Sequence, residues 1–236
     1  MSDIGVAALY AETASDNDDT LLGGPPETII SANANAGFSI VKYEGNGSTQ
    51  KIPHGLGQKP DFVVIKHTND ASAWVVFSDA TGTFSYSYLN LTNGFTAYPQ
   101  MSWDSTVINL NSGGDQNGAG DTHIAYFFTS IAGYSKIGSY TGNGNATGPT
   151  VTLNFAPDWI MIKRTDSTGD WRIWDSVRDS STPNNNILKP NSSEAEAVND
   201  ASAKINFLTT GFQPASTHSS VNTSGATYIY MAFKIN

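Results

Sequence analysis

The stretch Pro60-Asp61-Phe62-Val63-Val64-Ile65-Lys66 occurs a second time, in altered form, as Pro157-Asp158-Trp159-Ile160-Met161-Ile162-Lys163. A tryptophan follows the proline at the same distance in both stretches, because Trp74 and Trp171 each lie 14 residues downstream (74 − 60 = 171 − 157 = 14). Each apolar run is short and rich in β-branched or aromatic residues, which is typical of a strand that follows a turn. The chain therefore contains a duplicated β element.

The duplication extends beyond these strands in both directions. Upstream, Tyr43-Glu44-Gly45-Asn46-Gly47 is matched by Tyr140-Thr141-Gly142-Asn143-Gly144. Downstream, Thr122-His123-Ile124-Ala125-Tyr126-Phe127-Phe128 is matched by Thr227-Tyr228-Ile229-Tyr230-Met231-Ala232-Phe233. A repeat that is held at both ends and in the middle indicates that each half is one structural unit. We predict one unit over residues 37–132 and a second over residues 133–236.

Strand signals predominate over helix signals after residue 36. Several runs are apolar at consecutive positions, so both faces of those strands are expected to be buried. Residues 84–89 alternate instead, which favours a strand with one face in water. A helical turn is predicted only at residues 193–198. The fold class is therefore all-β, with two duplicated β-sandwich or jelly-roll units preceded by an extended N-terminal arm.

Composition excludes several classes of protein. Charged residues make up 14% of the chain, against about 25% in an average globular protein, and the formal net charge is −9. A surface of this sign repels phosphate backbones, so nucleic acid is not expected as a partner. The absence of cysteine excludes disulfides, thiolate metal sites and cysteine nucleophiles. No apolar run is long enough to span a bilayer, and no membrane insertion is expected.

Residues 1–36 are expected to form an arm that binds a partner. They contain the turn-prone segments Asp16-Asn17-Asp18-Asp19 and Gly23-Gly24-Pro25-Pro26. The arm docks either on a neighbouring subunit or on its own domain, and its expected contact residues are Leu21, Leu22, Pro25, Pro26, Ile29 and Ile30. The first residues lack the basic and apolar regions of a secretory signal.

No catalytic, metal or cofactor site is predicted. The four histidines, His54, His67, His123 and His218, show no spacing typical of a zinc site. A glycosidase of this fold would need two carboxylates that face one sugar ring, usually placed on a central strand, and no strand here offers them. The two Gly-Asn-Gly segments have no phosphate-loop context and are interpreted as hairpin turns.

The polar and aromatic residues that recur in both copies are interpreted as structural. Asp61 and Asp158 each follow a proline, where an aspartate commonly bonds backbone N–H groups of a turn. A duplicated calcium or ligand-binding carboxylate is the alternative. Trp74 and Trp171 are predicted to be core anchors, with sugar stacking as the alternative.

Recognition is expected in the loops that differ between the copies, because the scaffold is constant while these loops vary. They are residues 109–119 in the first unit and 178–199 in the second. The candidate ligand residues are Trp103, taken to be exposed, together with Asn111, Asp115, Asn184, Asn185 and Asn191.

The first block, Gly37-Phe38-Ser39-Ile40-Val41-Lys42-Tyr43-Glu44-Gly45-Asn46-Gly47 with Ile52-Pro53-His54-Gly55-Leu56-Gly57-Gln58-Lys59-Pro60-Asp61, resembles a domain of bacteriophage proteins. The domain is found in tail-fibre-like and other structural proteins, especially of phages with marine hosts. The second block, residues 138–144 with 162–166 and 170–171, resembles it as well. The resemblance covers residues 37–236, implies a virion protein and carries no catalytic residues over.

The expected function is accordingly that of a phage virion structural protein, held by its arm and exposing its sandwich, with a tail or fibre position in host contact. A capsid decoration protein and a carbohydrate-binding module are the alternatives. The expected partners are other virion proteins, further copies of the chain, for example in a trimer, and host surface glycans. Synthesis in the host cytoplasm and release by lysis would place the protein on the virion.

Overall fold

The structure, a computed structural model, describes residues 28–235. Within that range the protein is all-β, apart from a 3-10 turn at Ala34–Ala36 and a single helical turn, α1, at Gly114–Asn117. The strands are β1 (Ile29–Asn33), β2 (Phe38–Glu44), β3 (Gln50–Pro53), β4 (Phe62–His67), β5 (Val75–Ser78), β6 (Ser85–Tyr88), β7 (Thr96–Ala97), β8 (Ser102–Trp103), β9 (Val107–Leu110), β10 (Thr122–Phe128), β11 (Ser135–Thr141), β12 (Val151–Thr152), β13 (Trp159–Arg164), β14 (Arg172–Asp175), β15 (Ile205–Leu208), β16 (Gly211–Pro214) and β17 (Thr227–Phe233). The predicted all-β class is confirmed.

The described chain divides into two compact units. The first contains residues 28–72 and 100–129, and the second contains residues 73–99 and 130–235. Residues 73–99 belong to the first sequence repeat yet group with the second unit. The predicted ranges 37–132 and 133–236 describe the repeat, and as domain boundaries they stay a prediction.

The first unit consists of two antiparallel sheets. One has the strand order β1-β2-β10-β4, and the other has the order β3-β9-β8. The two sheets face each other across an apolar core, where the ring of His54, just after β3, lies 5.4 Å from that of Phe127 on β10. This arrangement is sandwich-like, as predicted.

The second unit repeats this arrangement. Its sheets have the orders β11-β17-β13-β14 and β12-β16-β15, and they enclose a core that includes Trp174, Phe212 and Tyr228. Strands β5, β6 and β7, from residues 73–99, form antiparallel pairs within the same unit. The order of strands in each pair of sheets thus follows the sequence repeat.

Burial patterns confirm the sequence predictions for the central strands. Strand β5 is buried at all four positions, and β4, β13 and β17 each have at least four consecutive buried residues. Strand β6 alternates as predicted, but its serines are buried while Tyr86 and Tyr88 are half-buried. The predicted helical turn at 193–198 is wrong, because the segment contains no helix and Ala197 instead forms an isolated β-bridge with Ile187.

Part of the predicted arm is a regular strand. Strand β1 lies within residues 1–36 and forms the edge of the first sheet by pairing with β2. Ile29 is 52% exposed, whereas Ile30 is half-buried. The side chain of Ile30 packs beside Gly55, so closely that a Cβ atom added to Gly55 would lie 3.1 Å from Cγ2 of Ile30. Leu21, Leu22, Pro25 and Pro26 lie outside the described residues. No helix in the range 28–235 is long and apolar enough to cross a membrane.

Candidate functional site

The two Gly-Asn-Gly segments form corners between the paired sheets, so the prediction of hairpin turns is wrong. Each segment leaves one sheet, at β2 or β11, and enters the other, at β3 or β12. The second glycine of each segment has a positive φ, 67° at Gly47 and 70° at Gly144, which glycine adopts without strain.

A buried asparagine organises each corner. In the second unit, Asn222 Oδ1 accepts the N–H of Asn143 at 2.8 Å, and Nδ2 donates to the carbonyl oxygens of Asn145 and Ser216 at 2.7 and 3.0 Å. In the first unit, Asn117 accepts the N–H of Asn46 and donates to the carbonyls of Ser48 and Asn111. Both amides are fully buried and bonded on both ends, so the repeated motif builds the scaffold.

Other repeated residues also make structural contacts. Asp158 accepts the hydroxyl of Ser176 and the N–H of Ile235, which supports its interpretation as a structural residue. Lys66 and Lys163 each donate to the carbonyl of the next residue, at 2.8 and 2.6 Å. Burial lowers the pKa of Lys163 to about 8, with neighbouring charges as smaller contributions.

The two repeated tryptophans differ. Trp171 is 1% exposed, and its Nε1 donates to the carbonyl of Tyr88 at 2.9 Å, which confirms its interpretation as a core anchor. Trp74 is 37% exposed, so the same interpretation is wrong for it. Trp103, expected to be exposed, is buried at 7% exposure on β8, and stacking on a ligand from that position is therefore excluded.

The predicted ligand asparagines mostly organise their own loops. Asn111 accepts from the N–H of Gly113 and from Gln116 Nε2, while Asp115 lies half-buried in α1. Asn184 is buried and donates to the carbonyl of Asp179, and the N–H of Asn185 donates to the carboxylate of Asp179.

Asp179 and Asn191 fix the long loop of the second unit. Burial raises the pKa of Asp179, but N–H groups, including those of Asn185 and Asn186, outweigh it and hold the pKa at about 2. Asn191 accepts the N–H of Trp171 and donates to Asp170. The predicted residues therefore lie in different places and form no common site.

A cavity lies beside the second corner, at residues that the sequence did not single out. It has a volume of about 380 Å³ and is lined by Ala146, Ala201, Ser202, Lys204, Ala215, Ser216, Thr217 and His218. Asn222 connects two walls of the cavity, since its Nδ2 donates hydrogen bonds to the carbonyls of Asn145 and Ser216, which lie in different loops. The third wall, residues 201–204, follows the long loop of residues 178–199, which differs between the copies. The difference in loops thus points to the neighbourhood of the cavity, but not to any residue that lines it.

Charged residues surround this cavity. Arg172 is 6% exposed, and its Nη1 lies 3.6 Å from Asp200 Oδ2, while Lys189 lies 3.5 Å from Asp170. Burial lowers the pKa of His218; Arg172 adds to the shift and Asp200 opposes it. Within residues 28–235, the guanidinium Nε and Nη1 of Arg172 have no hydrogen-bond partner.

A second buried polar cluster lies in the first unit. His67 Nε2 bonds the carbonyl of Gly114 at 2.8 Å, and its Nδ1 lies 3.7 Å from Asp121 Oδ2. The ring of His123 lies 4.3 Å from that of His67 and stacks on Tyr43, and neither of its nitrogens has a hydrogen-bond partner within the described chain. Among residues 28–235, no group of three or more His, Asp or Glu could hold a metal ion.

One family model covers nearly the whole chain. Residues 11–236 match the family described as "Domain of unknown function (DUF7483)". No curated protein and no solved structure matches the sequence significantly. Because the match includes both repeats and the second corner, the protein belongs to the DUF7483 family.

Proposed function

We propose that this protein is a structural component of a bacteriophage virion, attached through its N-terminal segment and exposing its two units to the host, most plainly as a tail or fibre-associated protein. The observation that carries the proposal is the structural role of the repeated residues. The residues whose pattern resembles phage structural domains form the corners and strands of the scaffold. A sequence signature made of scaffold residues fits a protein whose task is to hold and present surfaces.

The edge strand β1 supports a role in assembly. It has no charged residue and no proline, the two devices by which proteins commonly protect an exposed sheet edge. The chain before β1 leads directly into this edge, and Ile29 lies there with half its surface in solvent. A partner that binds residues 1–27 would therefore lie beside the first unit.

Truncation tests this attachment. Deleting residues 1–27 leaves β1 intact, whereas a cut after residue 36 would remove a strand of the sheet. We expect the truncated protein to be absent from assembled particles while its amide exchange in β2 and β10 is unchanged. A Lys204→Gln variant with the N-terminal segment intact is the control and should be incorporated normally. Normal incorporation of the truncated protein would refute the proposal.

The cavity favours a second candidate function, binding of host carbohydrate. It is concave, one of its walls follows the long loop of residues 178–199, and it offers hydroxyl, amine and imidazole groups within one unit. The two functions are compatible, because a virion protein in host contact needs a receptor site. An array of host surface glycans probed with the full chain tests this candidate, and a signal at background level would count against it.

A further inference from the structure

We propose that the cavity beside the second corner binds an acidic sugar residue, with the anionic group of the sugar held by Lys204 and His218. This inference rests on the proposed role in host contact and specifies its ligand. It concerns residues of the second unit only, so it can be tested on the purified protein without any particle.

Lys204 supplies an unpaired positive charge. It lines the cavity while half-exposed, and its ammonium group has no ion pair or hydrogen bond within residues 28–235. Its backbone is fixed, because the carbonyl accepts the N–H of Ala215 at 2.8 Å. A lysine held at a cavity wall without a carboxylate partner is available to an anionic ligand.

His218 supplies a second donor of fixed orientation. Its Nδ1 lies 3.2 Å from the N–H of Ser220, which can only donate, and 2.7 Å from the hydroxyl of the same residue. The neutral ring therefore carries its proton on Nε2, where it can donate to a ligand. Protonation adds a positive charge to the same wall.

The nearby carboxylates contact groups other than Lys204. Asp200 lies beside Arg172 and accepts the N–H and hydroxyl of Ser202, and Asp170 lies beside Lys189. Glu194 also contacts Lys189. The three cations and three carboxylates near the cavity balance in number, but Lys204 alone among these cations has no acidic partner. Its ammonium group is therefore the one that an anionic ligand can pair with.

The size and lining of the cavity favour a sugar over an inorganic anion. Its volume of 380 Å³ corresponds to about a dozen water molecules at ~30 Å³ each. The methyl groups of Ala146, Ala201 and Ala215 give apolar contact, and Ser216 and Thr217 contribute hydroxyls. Apolar patches beside hydroxyl groups match the mixed C–H and O–H surface of a sugar ring.

Titration of the full chain with three probes tests the proposal. Glucuronate, glucose and inorganic phosphate are added separately, and binding is followed by amide shifts of residues 201–204 and 215–218. We expect glucuronate to bind at least about tenfold more tightly than either other probe, because it alone combines the charge with the ring. Binding should tighten as the pH is lowered and His218 gains its proton, below the pH at which an ordinary histidine does, because burial lowers its pKa.

Matched substitutions assign the effect to the cavity. Lys204→Gln should weaken glucuronate binding by about tenfold or more, whereas Lys234→Gln, at an exposed lysine outside the cavity, should leave it unchanged. His218→Asn should remove the pH dependence. Equal affinity for glucose would overturn the anionic part of the proposal, and equal affinity for phosphate would overturn the sugar part. No saturable shift with any probe would overturn the whole, while leaving the truncation experiment on particles unaffected.

Discussion

The two corners present the same backbone acceptor to different side chains. In the second unit the carbonyl of Ser219 accepts the hydroxyl of Tyr228 on β17, at 2.8 Å. In the first unit the equivalent carbonyl is that of Gly114, which bonds His67 on β4. The two carbonyls are equivalent because Gly114 precedes Asn117 by three residues, as Ser219 precedes Asn222. The residue equivalent to Tyr228 is His123, whose nitrogens have no partner within the described residues.

This difference shows which features of the duplicated unit are fixed. Both copies keep the buried amide and the corner glycines. Both also keep a tyrosine that bonds the backbone beside the amide, since Tyr43 donates to the carbonyl of Gln116 and Tyr140 to that of Val221. The donor to the second carbonyl has moved from one strand to another. A buried acceptor must be satisfied, but several positions on the facing sheet can do it.

The largest difference between the copies is expected at the repeated tryptophans. Trp171→Ala should reduce the free energy of unfolding by about 4 kcal/mol, since it removes a buried indole and a hydrogen bond to Tyr88. Trp74→Ala should cost only about 1 kcal/mol, because that side chain is more than one-third exposed. Denaturant unfolding of both variants measures the difference. Equal losses would show that the two tryptophans are equivalent after all.

The corner asparagines should have equal and large effects. Asn117→Ala and Asn222→Ala each leave buried backbone groups unpaired, and we expect a loss of about 3 kcal/mol in either unit. Asn145→Ala, at an exposed position of the same corner, is the matched control and should change stability by less than about 0.5 kcal/mol. Peptide-resolved hydrogen exchange reports each unit separately. An Asn222→Ala variant as stable as the control would contradict the structural role of the amide.

The sequence was sufficient to predict the strands but not the contacts between distant segments. Apolar runs such as Phe62–Ile65 carry their own strand signal, so the all-β class and the repeat could be derived directly. The corner could not, because Asn222 contacts Asn143 and Asn145 from nearly 80 residues away. Gly-Asn-Gly is also a common hairpin sequence, and only the pairing of β2 with β10 excludes a hairpin here.

The candidate site was less predictable than the fold. The ligand residues predicted in the unequal loops are mostly asparagines, and such side chains often bond backbone groups, as Asn184 does with Asp179 and Asn191 with Trp171. Lys204 and His218 stand out only when the structure shows that two loops converge on one cavity. The prediction that Trp103 is exposed is wrong because a single aromatic residue between polar neighbours gives no periodicity that indicates burial.

Acid should destabilise the first unit more than the second. Burial, together with the neighbouring His67, lowers the pKa of His123 to about 4, and burial also lowers the pKa of His54 in the same unit. Below about pH 6.5, His123 is protonated in the unfolded chain but stays neutral in the folded protein until the pH approaches 4. The contribution of His123 to stability is therefore complete above about pH 6.5, falls as the pH decreases and levels off below about 4, with a loss of up to about 3 kcal/mol.

Hydrogen exchange at several pH values measures this effect in each unit. Peptides from β2 and β10 should lose protection between about pH 6.5 and 4, while peptides from β11 and β17 should change less, because Tyr228 replaces the histidine there. Parallel losses in the two units would contradict the assignment to His123.

The smallest effect is expected from transferring the donor of the second unit into the first. His67→Ala removes the bond to Gly114 and should cost about 2 kcal/mol. His123→Tyr, added to that variant, places a phenol where Tyr228 stands in the other copy, and the vacated space beside the His67 ring lets its hydroxyl reach the freed carbonyl. We expect the second substitution to restore about 1 kcal/mol and to remove the part of the acid sensitivity that is due to His123. In the presence of His67 the same tyrosine should be destabilising, because the carbonyl is already bonded and the space is filled. If the double variant were less stable than His67→Ala alone, the two corners would differ in backbone geometry and not merely in the donor.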